Sequence, residues 1–178
     1  MKFKVQRISQ DDFRKISDFT CTEESMTDFL KSEAFECDST GEGNTYLLKD
    51  DTNKILGYYT IKCNAIQSHD EESIYNEYKV YPAIEIARLA IDETCAGKGL
   101  GSILLAYIIQ KVLELKEQVG IKYIFLFALP SAKEFYIRRN RIGVNFLNFP
   151  DSVDFLTDSQ EQGCEPLYLP ISEYDDKK

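Results

Sequence analysis

The stretch that decides the fold spans residues 84–102 and reads IEIARLAIDETCAGKGLGS. Its first eight residues, 84–91, are rich in branched apolar side chains, which is typical of a β-strand. After a short polar segment come Gly97, Gly99 and Gly101, and then a long segment with apolar residues at helical spacing. A glycine turn between a strand and a helix exposes main-chain N–H groups at the helix N-terminus, which suits a phosphate or pyrophosphate.

Two common nucleotide-binding motifs do not fit this turn. A Walker P-loop requires Lys followed by Ser or Thr, whereas Lys98 is followed by Gly99. A dinucleotide fingerprint requires the spacing G-x-G-x-x-G, which the turn lacks, and its strand opens a βαβ unit rather than lying past the middle of the chain.

The turn resembles the acyl-CoA-binding motif of the GNAT N-acyltransferases, Gln/Arg-x-x-Gly-x-Gly/Ala. The matching register is Ala96-Gly97-Lys98-Gly99-Leu100-Gly101, in which Ala96 replaces the usual Gln or Arg and removes one side chain but no main-chain donor. The resemblance implies acetyl-CoA as co-substrate, with its pyrophosphate on the main chain of residues 97–102, the last being Ser102. Lys98 either adds a charge contact or is an ordinary exposed lysine.

The same resemblance assigns a role to the strand before the turn. In GNAT enzymes this strand splays away from the next one, and its free main-chain groups pair with the pantetheine arm. Leu89, Ala90 and Ile91 occupy those positions here.

Glu85 is the candidate general base. The attacking amine must lose a proton to a base or to a water path. Glu85 lies four residues before Leu89, where some GNAT lysine acetyltransferases carry a catalytic glutamate, and it shares one strand face with Leu89 and Ile91. The alternative is an exposed glutamate near the start of the strand. Arg88 points to the opposite face, for packing, an ion pair or an acidic substrate group.

Tyr136 is the candidate general acid. Phe135-Tyr136 matches the GNAT pattern A-x-x-F/L-Y-x-x-x-G-F, whose tyrosine lies beside the thioester sulfur. A tyrosine with its ordinary pKa of about 10 is protonated at neutral pH and can donate. Asn140-Arg141 replaces the family's Gly-Phe, and we expect Asn140 to end the helix in a left-handed conformation.

The order of predicted elements is strand, two helices, three strands, helix, strand, helix, two strands, which is the GNAT order. It implies one α/β domain over residues 1–178, with a mixed, mostly antiparallel twisted sheet of about seven strands flanked by helices and splayed at the acyl-CoA site. Residues 64–82 are polar and contain His69, so they predict an inserted binding loop, with room for a short helix.

Composition narrows the protein class. No apolar run is long enough to span a bilayer and the N-terminus lacks a signal-peptide apolar region, so we expect a cytoplasmic protein without membrane contact. The five cysteines are scattered without a C-x-x-C pair, and there is one histidine. This pattern argues against a metal site or a disulfide framework.

The partner is the open question. Residues 19–30 resemble the F-x-C…L-x-x-F/W-L helix of a GNAT branch that includes toxins acetylating aminoacyl-tRNA. The net charge of -9 opposes binding to a phosphate backbone unless a local basic patch overrides it, and it suits a cationic amine. The first interpretation is therefore acetyl transfer from acetyl-CoA to a primary amine by direct attack in a ternary complex. The alternatives are a toxin acting on aminoacyl-tRNA, with nucleic acid disfavoured by charge, and a non-catalytic acyl-CoA-binding module. A homodimer is left open.

Overall fold

The computed structural model describes residues 2–69, 78–149, 153–155 and 163–172. The chain divides into two compact units: Met1–Lys62 with Ile86–Tyr107, and Cys63–Glu85 with Ile108–Lys178. Two long strands and one helix contribute residues to both units. The prediction of one domain over residues 1–178 stays a prediction.

The α-helices are α1 (Phe13–Ile16), α2 (Glu24–Ser32), α3 (Ala34–Thr40) and α4 (Leu100–Lys116). Short 3-10 turns lie at Gln10–Asp12 and Glu93–Cys95, and a π-helical turn lies at Phe135–Arg139. The strands are β1 (Lys4–Arg7), β2 (Asn44–Lys49), β3 (Ile55–His69), β4 (Tyr78–Ile91), β5 (Tyr123–Ala128), β6 (Leu147–Asn148), β7 (Val153–Phe155) and β8 (Glu165–Pro170).

The first unit packs the amphipathic helix α2 on strand β3. Phe29 and Leu30 of α2 are buried together with Phe19 and Tyr58, and Met26 packs against the same cluster. The Tyr58 hydroxyl donates to the Met26 carbonyl at 2.7 Å. The N-cap of α2 is Glu23, and no side chain among the described residues caps this helix end.

Gly57 lets strand β3 approach strand β4 closely within this unit. A Cβ at position 57 would lie 2.7 Å from Ile91 Cδ1, 2.8 Å from the Ala90 carbonyl oxygen and 3.2 Å from Leu104 Cδ1. Any larger residue would therefore displace the backbone of the strand that leads into the glycine turn.

The second unit contains the parallel part of the sheet. Strand β4 pairs in parallel with β5 through Ala83–Glu85 and Tyr123–Phe125, and β8 pairs antiparallel with both β5 and β6. Strand β7 pairs antiparallel with β3. The predicted mixed α/β fold is confirmed; the described residues form eight strands, of which β7 corresponds to no predicted strand.

The described parts of residues 64–82 are strands rather than the expected loop. Strand β3 continues to His69 and strand β4 already begins at Tyr78, so most of this polar segment extends two strands. Ile66 is buried there between half-buried Ala65 and Gln67, so the polar composition concealed a strand that contributes to the core. The expected short helix lies outside the described residues.

No helix in the described ranges is long and apolar enough to cross a bilayer. All five cysteines are free thiols. In the part of the chain that the structure describes, no group of three His, Cys, Asp or Glu side chains is placed to hold a metal ion.

Candidate active site

The glycine turn adopts a backbone conformation that requires glycine at two positions. Gly97 has φ of 74° and Gly99 has φ of 84°, both in the left-handed region that other residues rarely adopt. Helix α4 begins directly afterwards, at Leu100, and includes Gly101 in its first turn. The predicted strand, glycine turn and helix are therefore confirmed in that order.

The turn presents main-chain donors at the start of α4. The first hydrogen bond of the helix runs from the Ile103 N–H to the Gly99 carbonyl at 3.3 Å, so the N–H groups of Leu100 and Gly101 precede the helical ladder. The N–H groups of Ala96 and Lys98 are engaged within the turn, with carbonyls at 3.2 Å and 3.4 Å. The geometry thus favours the helix N-terminus over residues 96 and 98 as the anion donor.

The Lys98 side chain curls back on the turn. Its Nζ donates to the Thr94 carbonyl at 2.8 Å, although the residue is exposed. This contact holds an ammonium group on the same segment as the helix N-terminus, where both favour an anion.

Asp92 stabilises the segment that leads into the glycine turn. Its carboxylate is 1% exposed and accepts hydrogen bonds from the Thr94 N–H at 3.2 Å and from the Thr94 hydroxyl. Lys54 Nζ lies at 3.4 Å and the Thr20 N–H at 3.5 Å. Burial alone would raise the pKa of Asp92, but the Thr94 hydrogen bond and the Lys54 charge outweigh it and lower that pKa.

From the sequence, Asp92 is predicted only as part of a short polar segment. The signal that could have identified it is its spacing from Thr94. An Asp that bonds the main chain two residues further on is a common turn-forming arrangement.

The last three residues of β4 are buried or half-buried. Ala90 is buried, and Leu89 and Ile91 are half-buried. The Arg88 guanidinium lies 5.1 Å from the centroid of the Phe29 ring and donates to the Ala87 carbonyl at 2.8 Å. Among the alternatives for Arg88, the structure thus supports packing on helix α2.

Glu85 is buried, which excludes the exposed alternative. It is 2% exposed, and its Oε2 accepts a hydrogen bond from Asn64 Nδ2 at 2.6 Å. Asn64 lies on β3, so two strands of the second unit fix this carboxylate. Its role as general base stays a prediction.

Tyr136 is buried in the second unit with 6% exposure. Its ring makes edge contacts with Phe135, at 5.0 Å between centroids, and with Phe146, at 5.6 Å. Burial raises the pKa of the Tyr136 hydroxyl above its ordinary value. The hydroxyl is therefore neutral at physiological pH, as a proton donor must be.

The segment that carries Tyr136 is a π-helical turn rather than the expected α-helix. The Asn140 N–H donates to the Phe135 carbonyl at 3.0 Å, which closes the wider ring. Such turns are frequent at functional sites.

The predicted left-handed conformation of Asn140 is wrong, since its φ is -70° and its ψ is 143°. The side chain ends the turn instead: Nδ2 donates to the carbonyls of Phe135 at 3.1 Å, Tyr136 at 3.2 Å and Val144 at 2.5 Å. Oδ1 accepts from the Val144 N–H at 3.1 Å. Gly143 instead adopts the left-handed backbone conformation, with φ of 71°.

The candidate residues fall into two groups. The glycine turn and residues 89–91 belong to the first unit, whereas Glu85 and Tyr136 belong to the second.

Similar proteins place this chain in a family. One relative, described as a tRNA-acetylating toxin of Mycobacterium tuberculosis, is 27% identical over 135 residues, covering 74% of this chain and 80% of the relative. The crystal structure of AtaTR bound with AcCoA is similar with a TM-score of 0.78 and 23% identity, covering 97% of this chain and 96% of the other.

AtaT complexed with acetyl-methionyl-tRNAfMet is similar with a TM-score of 0.75 and 23% identity, covering 98% of each chain. At this identity the two structures show a shared fold. Residues 4–140 match the profile of the Acetyltransferase (GNAT) family. The chain therefore belongs to the GNAT family of acetyltransferases, which are acyl-CoA-dependent enzymes.

Proposed function

We propose that this protein transfers the acetyl group of acetyl-CoA to the α-amino group of an aminoacyl-tRNA. The observation that carries the transferase part is the conformation of the glycine turn, in which Gly97 and Gly99 have positive φ and α4 begins at Leu100. Helix N-termini with free N–H groups bind phosphates well, so residues 99–101 and Lys98 would hold the pyrophosphate.

The RNA substrate is supported by similarity. The Mycobacterium tuberculosis relative is a tRNA-acetylating toxin, and one structural neighbour is complexed with acetyl-methionyl-tRNAfMet. The net charge of -9 taken alone favours a primary amine as the acceptor, which is the first interpretation from the sequence. Net charge is a weak argument against RNA binding when basic side chains cluster on one surface.

Two side chains of this chain serve the proton transfers. Glu85, held by Asn64, takes a proton from the attacking amine, directly or through water. Tyr136 donates a hydrogen bond or a proton to the departing thiolate of coenzyme A. Leu89, Ala90 and Ile91 supply main-chain groups that align the pantetheine arm. Alignment of this kind contributes up to about 7–11 kcal/mol in favourable cases.

A thiol-release assay with acetyl-CoA tests this proposal. Aminoacyl-tRNA, uncharged tRNA, free amino acids, polyamines and a lysine peptide are offered as acceptors at equal concentration. We expect release with aminoacyl-tRNA and none with uncharged tRNA, because only the former has the α-amino group.

Faster release with a polyamine or peptide, and none with aminoacyl-tRNA, would replace this substrate with a simple amine. Acetyl-CoA binding without release by any acceptor would instead support the non-catalytic acyl-CoA-binding module.

A further inference from the structure

The outer face of the π-helical turn carries a basic cluster in an acidic protein. Residues 131–141 contain four basic side chains and one acidic side chain, whereas the whole chain has a net charge of -9. The side chains of Arg138 and Arg139 are 69% and 72% exposed. Arg141 is exposed as well. The sign of the charge is therefore reversed on this surface.

One carboxylate opposes both arginines within the described ranges. Glu134 Oε2 lies 2.5 Å from Arg138 Nε and 3.9 Å from Arg139 Nε. Exposed ion pairs of this kind are weak, and a phosphate can replace the carboxylate. Because one carboxylate cannot neutralise two guanidinium groups, the described part of this surface keeps a net positive charge. Lys133 differs, since it is paired with Glu165 on β8.

We propose that Arg138 and Arg139 bind backbone phosphates of the RNA substrate. Guanidinium groups match phosphate oxygens in a two-pronged geometry, and arginine is favoured where phosphates are recognised. Tyr136 lies in the same five-residue turn, with its ring buried while the arginines face solvent. An RNA held by these arginines is thereby held on the element that carries the predicted general acid.

This inference rests on the proposed function, because it names the surface that holds the proposed substrate. The high exposure of both side chains fits contacts that position a polyanion without reading its sequence. An acidic protein segment is the competing partner. The salt dependence of RNA binding separates this partner from RNA.

The test measures the dissociation constant for aminoacyl-tRNA over a range of salt concentrations, for the wild type and for Arg138→Gln/Arg139→Gln. Each phosphate contact contributes about one unit to the slope of log affinity against log salt. We expect the double variant to lose about two units of slope and to bind RNA at least tenfold more weakly at low salt. Its thermal shift with acetyl-CoA should not change.

The matched control is Arg14→Gln/Lys15→Gln on helix α1, where both side chains are also exposed. It changes the net charge by the same amount, and its salt slope should stay that of the wild type. Equal losses of slope in both double variants would overturn the inference, since net charge would then explain the binding. A wild-type slope in Arg138→Gln/Arg139→Gln would also overturn the inference. An acidic protein segment would then be the partner that the basic cluster binds.

Binding and catalysis separate this inference from the proposed function. If the slope difference is seen but no acetylated aminoacyl-tRNA forms, the docking surface stands and the proposed reaction fails. If acetylation occurs with the same KM for aminoacyl-tRNA in both forms, the docking surface fails and the reaction stands.

Discussion

The side-chain amide of Asn140 donates to the main-chain carbonyl of Tyr136 at 3.2 Å. The same nitrogen bonds the carbonyls of Phe135 and Val144, so a single buried amide closes the π-helical turn and ties it to the segment that follows. Asn140 is therefore a positioning residue: it fixes the backbone from which the predicted general acid projects.

Asn140→Ala should lower kcat by about tenfold while acetyl-CoA affinity is kept, because the Tyr136 carbonyl loses the hydrogen bond from the Asn140 amide and keeps the one from the Phe146 N–H. The Val144 N–H and carbonyl, which lose their hydrogen bonds to the Asn140 side chain, should also cost about 1–3 kcal/mol of unfolding free energy. The informative measurement is a double-mutant cycle with Tyr136→Phe. In that background Asn140→Ala should destabilise the protein but add no further loss of kcat. Additive losses of kcat would show that Asn140 does not act through Tyr136.

Tyr136→Phe tests the general acid itself. The variant keeps the ring and its packing on Phe146 but removes the hydroxyl, whose work is done mainly in the transition state. General acid catalysis is worth about 10²–10⁴-fold, so we expect kcat to fall within or just below that range with acetyl-CoA affinity nearly unchanged. Tyr123→Phe is the matched control, because this half-buried tyrosine lies on β5 of the same unit. Full kcat in Tyr136→Phe would transfer the role to water or to a residue of 64–82.

The glycine turn makes a prediction about ligand binding. Acetyl-CoA at 100 times its Kd should stabilise the protein by about 2.7 kcal/mol, seen as a rise in Tm. Gly99→Asp and Gly101→Glu should each abolish the rise, since they add bulk and negative charge where the pyrophosphate is expected. Gly120→Asp is the control: a Cβ there has nothing within 4 Å, and the residue lies beyond the end of α4. A full Tm rise in both turn variants would contradict the assignment.

The strand, the glycine turn and the helix could be predicted because their requirements are local. Branched residues favour the strand, and the left-handed conformations of Gly97 and Gly99 need glycine whatever packs around them. The role of Tyr136 as general acid stays a prediction from its resemblance to the GNAT motif. The conformation of its turn could not be predicted, since Asn140 is held extended by the main chain of Val144, which local propensity does not describe.

The length of β3 and β4 was hidden for a related reason. Strand residues that lie outside the core need not be apolar. The polar segment after Asn64 therefore concealed a strand that forms through tertiary pairing. The buried position of Glu85 follows from the same pairing and from its contact with Asn64. The spacing of Glu85 from Leu89 predicts neither the burial of Glu85 nor its contact with Asn64.

Asp92 gives the turn a pH-dependent stability. Its pKa is lowered in the folded protein, so the unfolded chain takes up the proton first as pH falls. The contribution of the carboxylate is complete above its ordinary pKa of about 3.9 and is lost as the pH drops through the lower folded value. Urea unfolding of the wild type and Asp92→Asn should therefore differ most above about pH 5 and converge in stronger acid. A difference in unfolding free energy between the two forms that stays constant from about pH 6 down to the lowest pH measured would show that Asp92 acts without its charge.

Glu85→Gln separates a base from a structural carboxylate by its pH dependence. Gln is close in size to Glu and keeps an oxygen that can accept the Asn64 hydrogen bond, so the fold and the Tm should change little. If Glu85 takes the proton of the attacking amine, the variant should be slower at neutral pH, by about 10²-fold or more. An ordinary α-amino group has a pKa of about 7.7–8.0, so above that range the amine loses its proton without help and the deficit in kcat should shrink.

The measurement is substrate-saturated kcat for the wild type and Glu85→Gln across this pH range, together with acetyl-CoA affinity on the same preparations. A deficit that is independent of pH would point to a role in packing, and the absence of any deficit would leave the deprotonation to a water path.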